Sequence, residues 1–310
     1  MKRYITYILW ALVVPLQFSS CHSDTDIDYD HSIFVDPSEE EANAFDKWVL
    51  SNYTNTYNIN LKYRMEDKES DMNHVLAPAD YNKSVALAKI VKHVWLEAYD
   101  EVTGSPNFLR HYVPKTIHFI GSSAYEDTGT EVLGTAEGGM KITLYKVNDI
   151  DLTAIDIEKL NYYYFHTMHH EFAHILHQTK NYDPAFDLIT ESAYVGSDWY
   201  IKTNPETGQT SARSDEDAWK EGFVTAYAMS EAREDFVENI SMYVTHTQAY
   251  WDDMLANAGE TGSAIILRKF EIVDSYMKDT WGIDLDDLRD IVLRRQKEIT
   301  EGAIDLTITE

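Results

Sequence analysis

The sequence predicts an α+β fold: one domain with a small mixed sheet beside a long helix, followed by a helical C-terminal half. Three observations lead there. Strand-like segments fall in the first half, at residues 57–64, 115–122, 131–135 and 140–147. From residue 160 onward apolar residues recur mostly at helical spacing. No internal repeat and no clear boundary follows residue 38, so 39–310 reads as one domain.

Composition sets bounds on what such a domain can do. The chain has 310 residues, 44% of them hydrophobic, with 21 Tyr and 7 Trp, enough to build a substantial core. Against 26 Lys and Arg stand 53 Asp and Glu, a net charge of -27. Such a surface repels nucleic acid, whose binders carry basic patches. The one cysteine, Cys21, excludes an internal disulfide and a Cys-rich metal site. Any metal must be held by His and carboxylates.

Residues 1–20 read as a secretory signal. Lys2 and Arg3 precede an apolar run, 5–16, that is too short for a membrane span and is broken by Pro15. Phe18-Ser19-Ser20-Cys21 resembles a bacterial lipobox, although Phe18 stands where Leu is usual. Lipidation at Cys21 would anchor the chain without a transmembrane helix. Residues 21–38, with Asp24, Asp26, Asp28, Asp30 and Asp36, read as an acidic tether. Acids directly after the Cys resemble surface-export signals of some Gram-negative lipoproteins, so the expected address is the outer membrane, facing outward.

In the domain, the first helix is expected at 38–52, with Ser38 as cap and Glu39, Glu40 and Glu41 in its first turn. A second, 80–99, carries Val85, Leu87, Ile90, Val91, Val94 and Trp95 at core spacing. Gly138-Gly139 marks a turn before the strand 140–147, which is the expected free edge beside the next helix. That helix, 160–179, is followed by a short helix at 190–200 and a loop at 204–217. A helical stretch is expected over 218–247, then two final helices at 264–276 and 284–300.

The 160–179 helix carries His169-His170-Glu171-Phe172-Ala173-His174-Ile175-Leu176-His177, and within it the pattern His-Glu-x-x-His. Residues four apart share a helix face, about 6 Å apart along the axis, so His170 and His174 can converge on one ion. Glu171 lies beside them, placed to take the proton of an attacking water. A catalytic zinc takes three protein ligands, and two places compete for the third. His177 lies about 10 Å along the axis from His170, too far for three ligands of one straight helix to meet easily. It is expected to support the site from behind; His166 and His169 are weaker candidates still. The other place is Glu234-Asp235-Phe236-Val237-Glu238, where Glu234 and Glu238 share a face. One can bind zinc while the other holds a histidine in position. Tyr227, seven residues before Glu234, shares that face if the helix is continuous, and its phenol could donate to an oxyanion.

Taken together, His170-Glu171-x-x-His174, Tyr227 and Glu234-x-Phe236-x-Glu238 resemble the gluzincin peptidases, including the anthrax-lethal-factor type. More closely, the chain resembles a family of bacterial zinc-binding metallopeptidase lipoproteins associated with outer-membrane nutrient import. That resemblance also covers the 57–64 segment and Trp281-Gly282-Ile283-Asp284. It implies a zincin-like fold with Zn2+ on His170, His174 and Glu234. It further implies Glu171 and Tyr227 as catalytic residues, and Glu238 and His177 as their supports. The substrate it implies is a peptide or glycopeptide. The alternative is a non-catalytic accessory component of an import complex; a metal-dependent hydrolase of non-peptide bonds is a third reading.

Overall fold

Asn43 opens the first helix. Its side chain accepts from the Asp46 amide while the Asp46 carboxylate accepts from the Asn43 amide, a reciprocal cap that pairs two otherwise unmatched donors. The structure is a computed structural model that describes residues 42–65, 75–125, 131–132, 134–137, 140–204 and 206–308. The signal-like segment, Cys21, the acidic tether, Ser38 and the Gly138-Gly139 turn lie outside them. The chain divides after Ala42, and every element below belongs to the unit Asn43–Glu310.

Helix α1 (residues 44–57) runs through Ala44–Val49, a wide π-helical turn Leu50–Thr54, and Asn55–Tyr57. It ends later than expected, at Tyr57, and consumes the start of the predicted strand. Tyr57 stays helical because its ring is buried and its hydroxyl donates to Asp100 at 2.6 Å. Strand β1 is therefore only Asn60–Lys62. Helix α2 (residues 81–103) starts at an Asp80 cap and ends at Gly104, whose φ of 70° suits a left-handed stop. Helix α3 is Asn107–Tyr112.

The sheet corrects two expectations. Strand β2 (Thr116–Phe119) precedes two short strands, β3 (Ala124–Tyr125) and β4 (Glu131–Val132), that pair with each other. The predicted strand 131–135 is thus split: its second part joins β5 (Gly134–Glu137), which pairs antiparallel with β6 (Lys141–Leu144). The order is β1-β2-β6-β5, with β1, β2 and β6 parallel. Hence β6, expected at the edge, is interior, and among the described residues β5 is the edge strand on that side. Burial agrees: Ile142, Thr143 and Leu144 are consecutively buried, as in a strand covered on both faces.

Helix α4 (residues 157–179) is capped by Asp156 and passes through a wide turn, Asn161–Phe165, before the histidine-rich segment His166–Thr179. Its apolar face buries Phe165, Met168, Phe172 and Leu176. Phe172 meets Trp95, Tyr99 and Phe108 edge-on, at centroid distances of 5.6, 4.9 and 6.0 Å. This aromatic contact fixes the rotation of α4, leaving the opposite face to His166, His170 and His174. Strand β5 lies alongside the same helix.

Beyond α4, the short helix expected at 190–200 is two 3₁₀ turns, Glu191–Ala193 and Gly196–Asp198. The expected loop at 204–217 contains the second strand of a hairpin, β7 (Ile201–Thr203) with β8 (Thr210–Ala212). It also contains the start of α5 (Asp215–Lys220), which carries a Ser214–Asp217 capping box. The helical stretch expected over 218–247 is broken. Gly222, at φ 88°, leaves α5, and a Cβ there would meet Ile265 Cγ2 at 2.3 Å, so no other residue fits without displacement. After a 3₁₀ turn, Tyr227–Met229, the chain enters α6 (Ala232–Thr245). Helix α7 (residues 248–281) is longer than expected and breaks at Gly259; α8 (Leu285–Thr300) follows an Asp284 cap. Among the described residues no helix is long and apolar enough to cross a membrane.

Candidate metal centre

Three contacts set α4 against α6. The Asn161 side chain donates to the Thr245 carbonyl at 3.1 Å, His170 Nδ1 meets Glu238 Oε1 at 2.6 Å, and His174 Nε2 meets Glu234 Oε2 at 3.2 Å. As residue numbers rise on α4 they fall on α6, so the helices run antiparallel. The four-residue step from His170 to His174 then matches the step from Glu238 to Glu234.

At one end of this ladder three donor atoms form a nearly equilateral triangle. His170 Nε2 and His174 Nε2 are 3.2 Å apart, His174 Nε2 and Glu234 Oε2 3.2 Å, and His170 Nε2 and Glu234 Oε2 3.1 Å. A tetrahedral zinc with ligands at about 2.0–2.1 Å has ligand-to-ligand edges of roughly 3.3–3.4 Å. The triangle fits such an ion with little adjustment, and two imidazoles with one carboxylate suit its chemistry. His170, His174 and Glu234 are accordingly a group that could hold a metal ion.

The remaining ring nitrogens are occupied. His170 Nδ1 is held by Glu238, whose buried carboxylate also takes His166 Nε2 at 2.8 Å on the same oxygen and the Thr225 hydroxyl at 2.6 Å on the other. His174 Nδ1 lies 2.9 Å from His177 Nε2. His177 therefore sits on the far side of the His174 ring from the triangle, as a partner of His174 rather than a fourth corner. His166, His170 and Glu238 form a second possible metal group, but it shares His170 with the first. His169 faces the core, fully buried, with Nδ1 3.1 Å from the Tyr99 hydroxyl.

Charge follows this geometry. Burial alone would depress the His170 imidazole, but hydrogen bonds to Glu234 and Glu238 hold it up to about 10. A divalent cation would take the place of that proton. Burial would raise Glu234, yet His170 and His174 hold its carboxyl far below the usual carboxylate range. Glu171, half-buried, is raised by burial, with Glu234 and Glu238 adding to the rise and His170 and His174 opposing it. Burial, and then His174 beside it, lower His177 to about 4, so that ring is neutral at pH 7.

Tyr227 reaches the site from its own 3₁₀ turn, not from α6 as a seven-residue helical spacing suggested. Its ring lies 5.9 Å from that of His170 and meets Trp199 edge-on at 5.2 Å. It is 38% exposed. Burial of the phenol, followed by Glu234, Glu238 and Glu171, raises its pKa far above the ordinary tyrosine value. The phenol is therefore a donor throughout the neutral range.

A family model described as "Putative zinc-binding metallo-peptidase" matches residues 38–286. The chain belongs to this family. A crystal structure of a protein of the same description, from Bacteroides caccae, is 48% identical. The alignment covers 89% of this chain and 98% of that one, with a TM-score of 0.71. No curated protein matches the chain. Membership of a zinc-binding metallo-peptidase family agrees with a donor set of two histidines and a carboxylate.

Sequence reasoning missed several residues around this centre. Thr225 falls in the stretch read as helix, whereas the chain there is irregular. Trp199 and the pairing of His166 with Glu238 are visible only in the fold. Asp235, between the two site glutamates, points away and meets Lys269 Nζ at 2.6 Å, both side chains fully buried. The one available signal was a lysine in phase with Ile266 and Val273 on the buried face of α7.

Proposed function

We propose that this chain is a zinc-dependent peptidase, with His170, His174 and Glu234 as ligands and Glu171 as general base. The observation that carries it is the triangle of donor atoms at 3.1–3.2 Å, with further hydrogen bonds behind both histidines. When bound, zinc supplies a Lewis acid and lowers the pKa of water to about 7. Glu171 takes the proton of the attacking water and later delivers it to the leaving amine. Its raised carboxyl suits that exchange. Tyr227 donates from its phenol to the carbonyl oxygen as negative charge grows there. Glu238 holds His170 in the tautomer that presents Nε2, and His177 does the same for His174. The edge strand β5 beside α4 offers main-chain donors and acceptors to an extended peptide.

In this reading Cys21 carries a lipid that anchors the chain in the outer membrane, facing outward. Peptides or glycopeptides are then cleaved next to an import complex. The resemblance in the sequence supports this part. The test is a peptide-library digest by purified soluble protein, with and without a chelator. Chelator-sensitive cleavage is expected; its absence for every peptide would favour a non-catalytic binding component of the import complex.

A further inference from the structure

A phenol that serves a developing oxyanion must be held to within a few tenths of an ångström, and Tyr227 has no long helix to hold it. Between the end of α5 and the start of α6 the chain forms only the turn Tyr227–Met229. Thr225 stands at the head of that turn and is buried. Its hydroxyl accepts from the Ala228 amide at 3.1 Å and donates to Glu238 Oε2 at 2.6 Å. The other oxygen of that carboxylate, Oε1, takes His170 Nδ1 at 2.6 Å and His166 Nε2 at 2.8 Å.

We infer that Thr225 is a positioning residue: through Glu238 it fixes the Tyr227 turn to the same buried carboxylate that orients His170. The two sides of the reaction centre, metal ligand and phenol, thereby share one reference point. The other contacts to the backbone of the turn do not reach the ligands. Asp215 Oδ1 accepts from the Ala226 amide at 2.7 Å, and the Met229 and Ser230 carbonyls accept from the amides of Val195 and Gly196. Among the described residues, the Thr225 hydroxyl bond is the one hydrogen bond from this turn that runs to Glu238. Valine at 225 keeps the shape and loses the hydroxyl, and serine keeps the hydroxyl. The consequence for turnover rests on the peptidase reading; the positional claim does not.

The experiment places 3-fluorotyrosine at position 227 and reads its ¹⁹F resonance in the parent, Thr225→Val and Thr225→Ser proteins, both metal-free and zinc-loaded. Thr225→Val is expected to shift or broaden the resonance, and Thr225→Ser to recover it. Zinc affinity, by competition with a chromophoric chelator, should change by less than the roughly 10–100-fold typical when a direct support of a ligand is lost. In peptide hydrolysis, Thr225→Val should lower kcat by about 10-fold, below the effect of a lost oxyanion donor, with KM little changed. In a Tyr227→Phe background it should add nothing. An unmoved resonance in folded Thr225→Val, or additive losses in the double variant, would overturn the inference. If valine prevents folding, Thr225→Ala serves the same comparison. If the parent cleaves no peptide but the resonance moves as expected, the peptidase reading fails and the positioning role stands.

Discussion

On α6, Glu234 and Glu238 face α4 across a set of imidazoles, while Asp235, one residue away, turns to the opposite side and meets Lys269. The acids differ little in intrinsic chemistry, but their surroundings differ. The Glu234 side chain retains 17% exposure, and its partners are histidines, bases that can exchange a proton for a metal. The Asp235–Lys269 pair is dry, at 0% exposure on both sides, and the acid's partner there is a lysine amine. That pair is fully satisfied: Tyr194 donates to Asp235 at 2.9 Å, Asn239 donates to it at 3.2 Å, and Lys269 donates to the Gly222 carbonyl at 2.9 Å. Lys269 also lies 3.6 Å from the centroid of the Phe223 ring. A buried acid facing bases makes a site; a buried acid facing a matched cation makes an anchor. The anchor ties α6 to α7 and to the Gly222 bend, and so holds Glu234 and Glu238 against α4.

This contrast assigns chemistry to the acids facing α4 and stability to the pair behind them. The strongest test of the chemical side is Glu171→Gln. Peptide turnover should fall by roughly 10²–10⁴-fold, while elemental analysis finds zinc at the parent level. Retained hydrolysis in that variant would remove Glu171 from the role of general base. Next in size is Glu234→Ala, which should bring bound zinc down to trace amounts without a large change in urea stability. Unchanged zinc there, together with zinc loss in His177→Ala, would exchange the two residues' roles.

On the structural side, Lys269→Met leaves Asp235 buried without its cation and should cost about 3–5 kcal/mol in urea denaturation. The double change Asp235→Leu with Lys269→Met should cost much less, and both proteins, once folded, should bind zinc normally. A loss of zinc affinity in the folded double variant would mean that anchor and site are not separable. The smallest effect is expected from His177→Ala: zinc affinity about 10–100-fold weaker, because His174 loses the group that fixes its ring.

How much of this was legible beforehand depended on whether the information was local. His170, His174, Glu234 and Glu238 could be read because helical period four places them on faces, and the faces meet. The edge strand was misread because alternation in 140–147 speaks to the faces of the strand and not to which strands pair along its two sides. Tyr227 was reached for a reason that does not hold. Its spacing from Glu234 suits one helix, but Gly222 ends α5, and Tyr227 arrives on a separate turn. The Asp235–Lys269 pair joins residues 34 apart, and nothing in the local pattern of either names the other.

The matched rungs of α4 and α6 also bear on how the chain finds its structure. His170 to His174 and Glu238 to Glu234 each advance by about one helical turn, near 6 Å. A slip of one turn between the helices would still set one histidine against one glutamate, so a collapsed chain has a near-miss alignment at hand. The three-atom triangle exists in only one alignment. An ion bound there would stabilise that alignment alone, by mass action, and so would widen the gap between the native register and its neighbour.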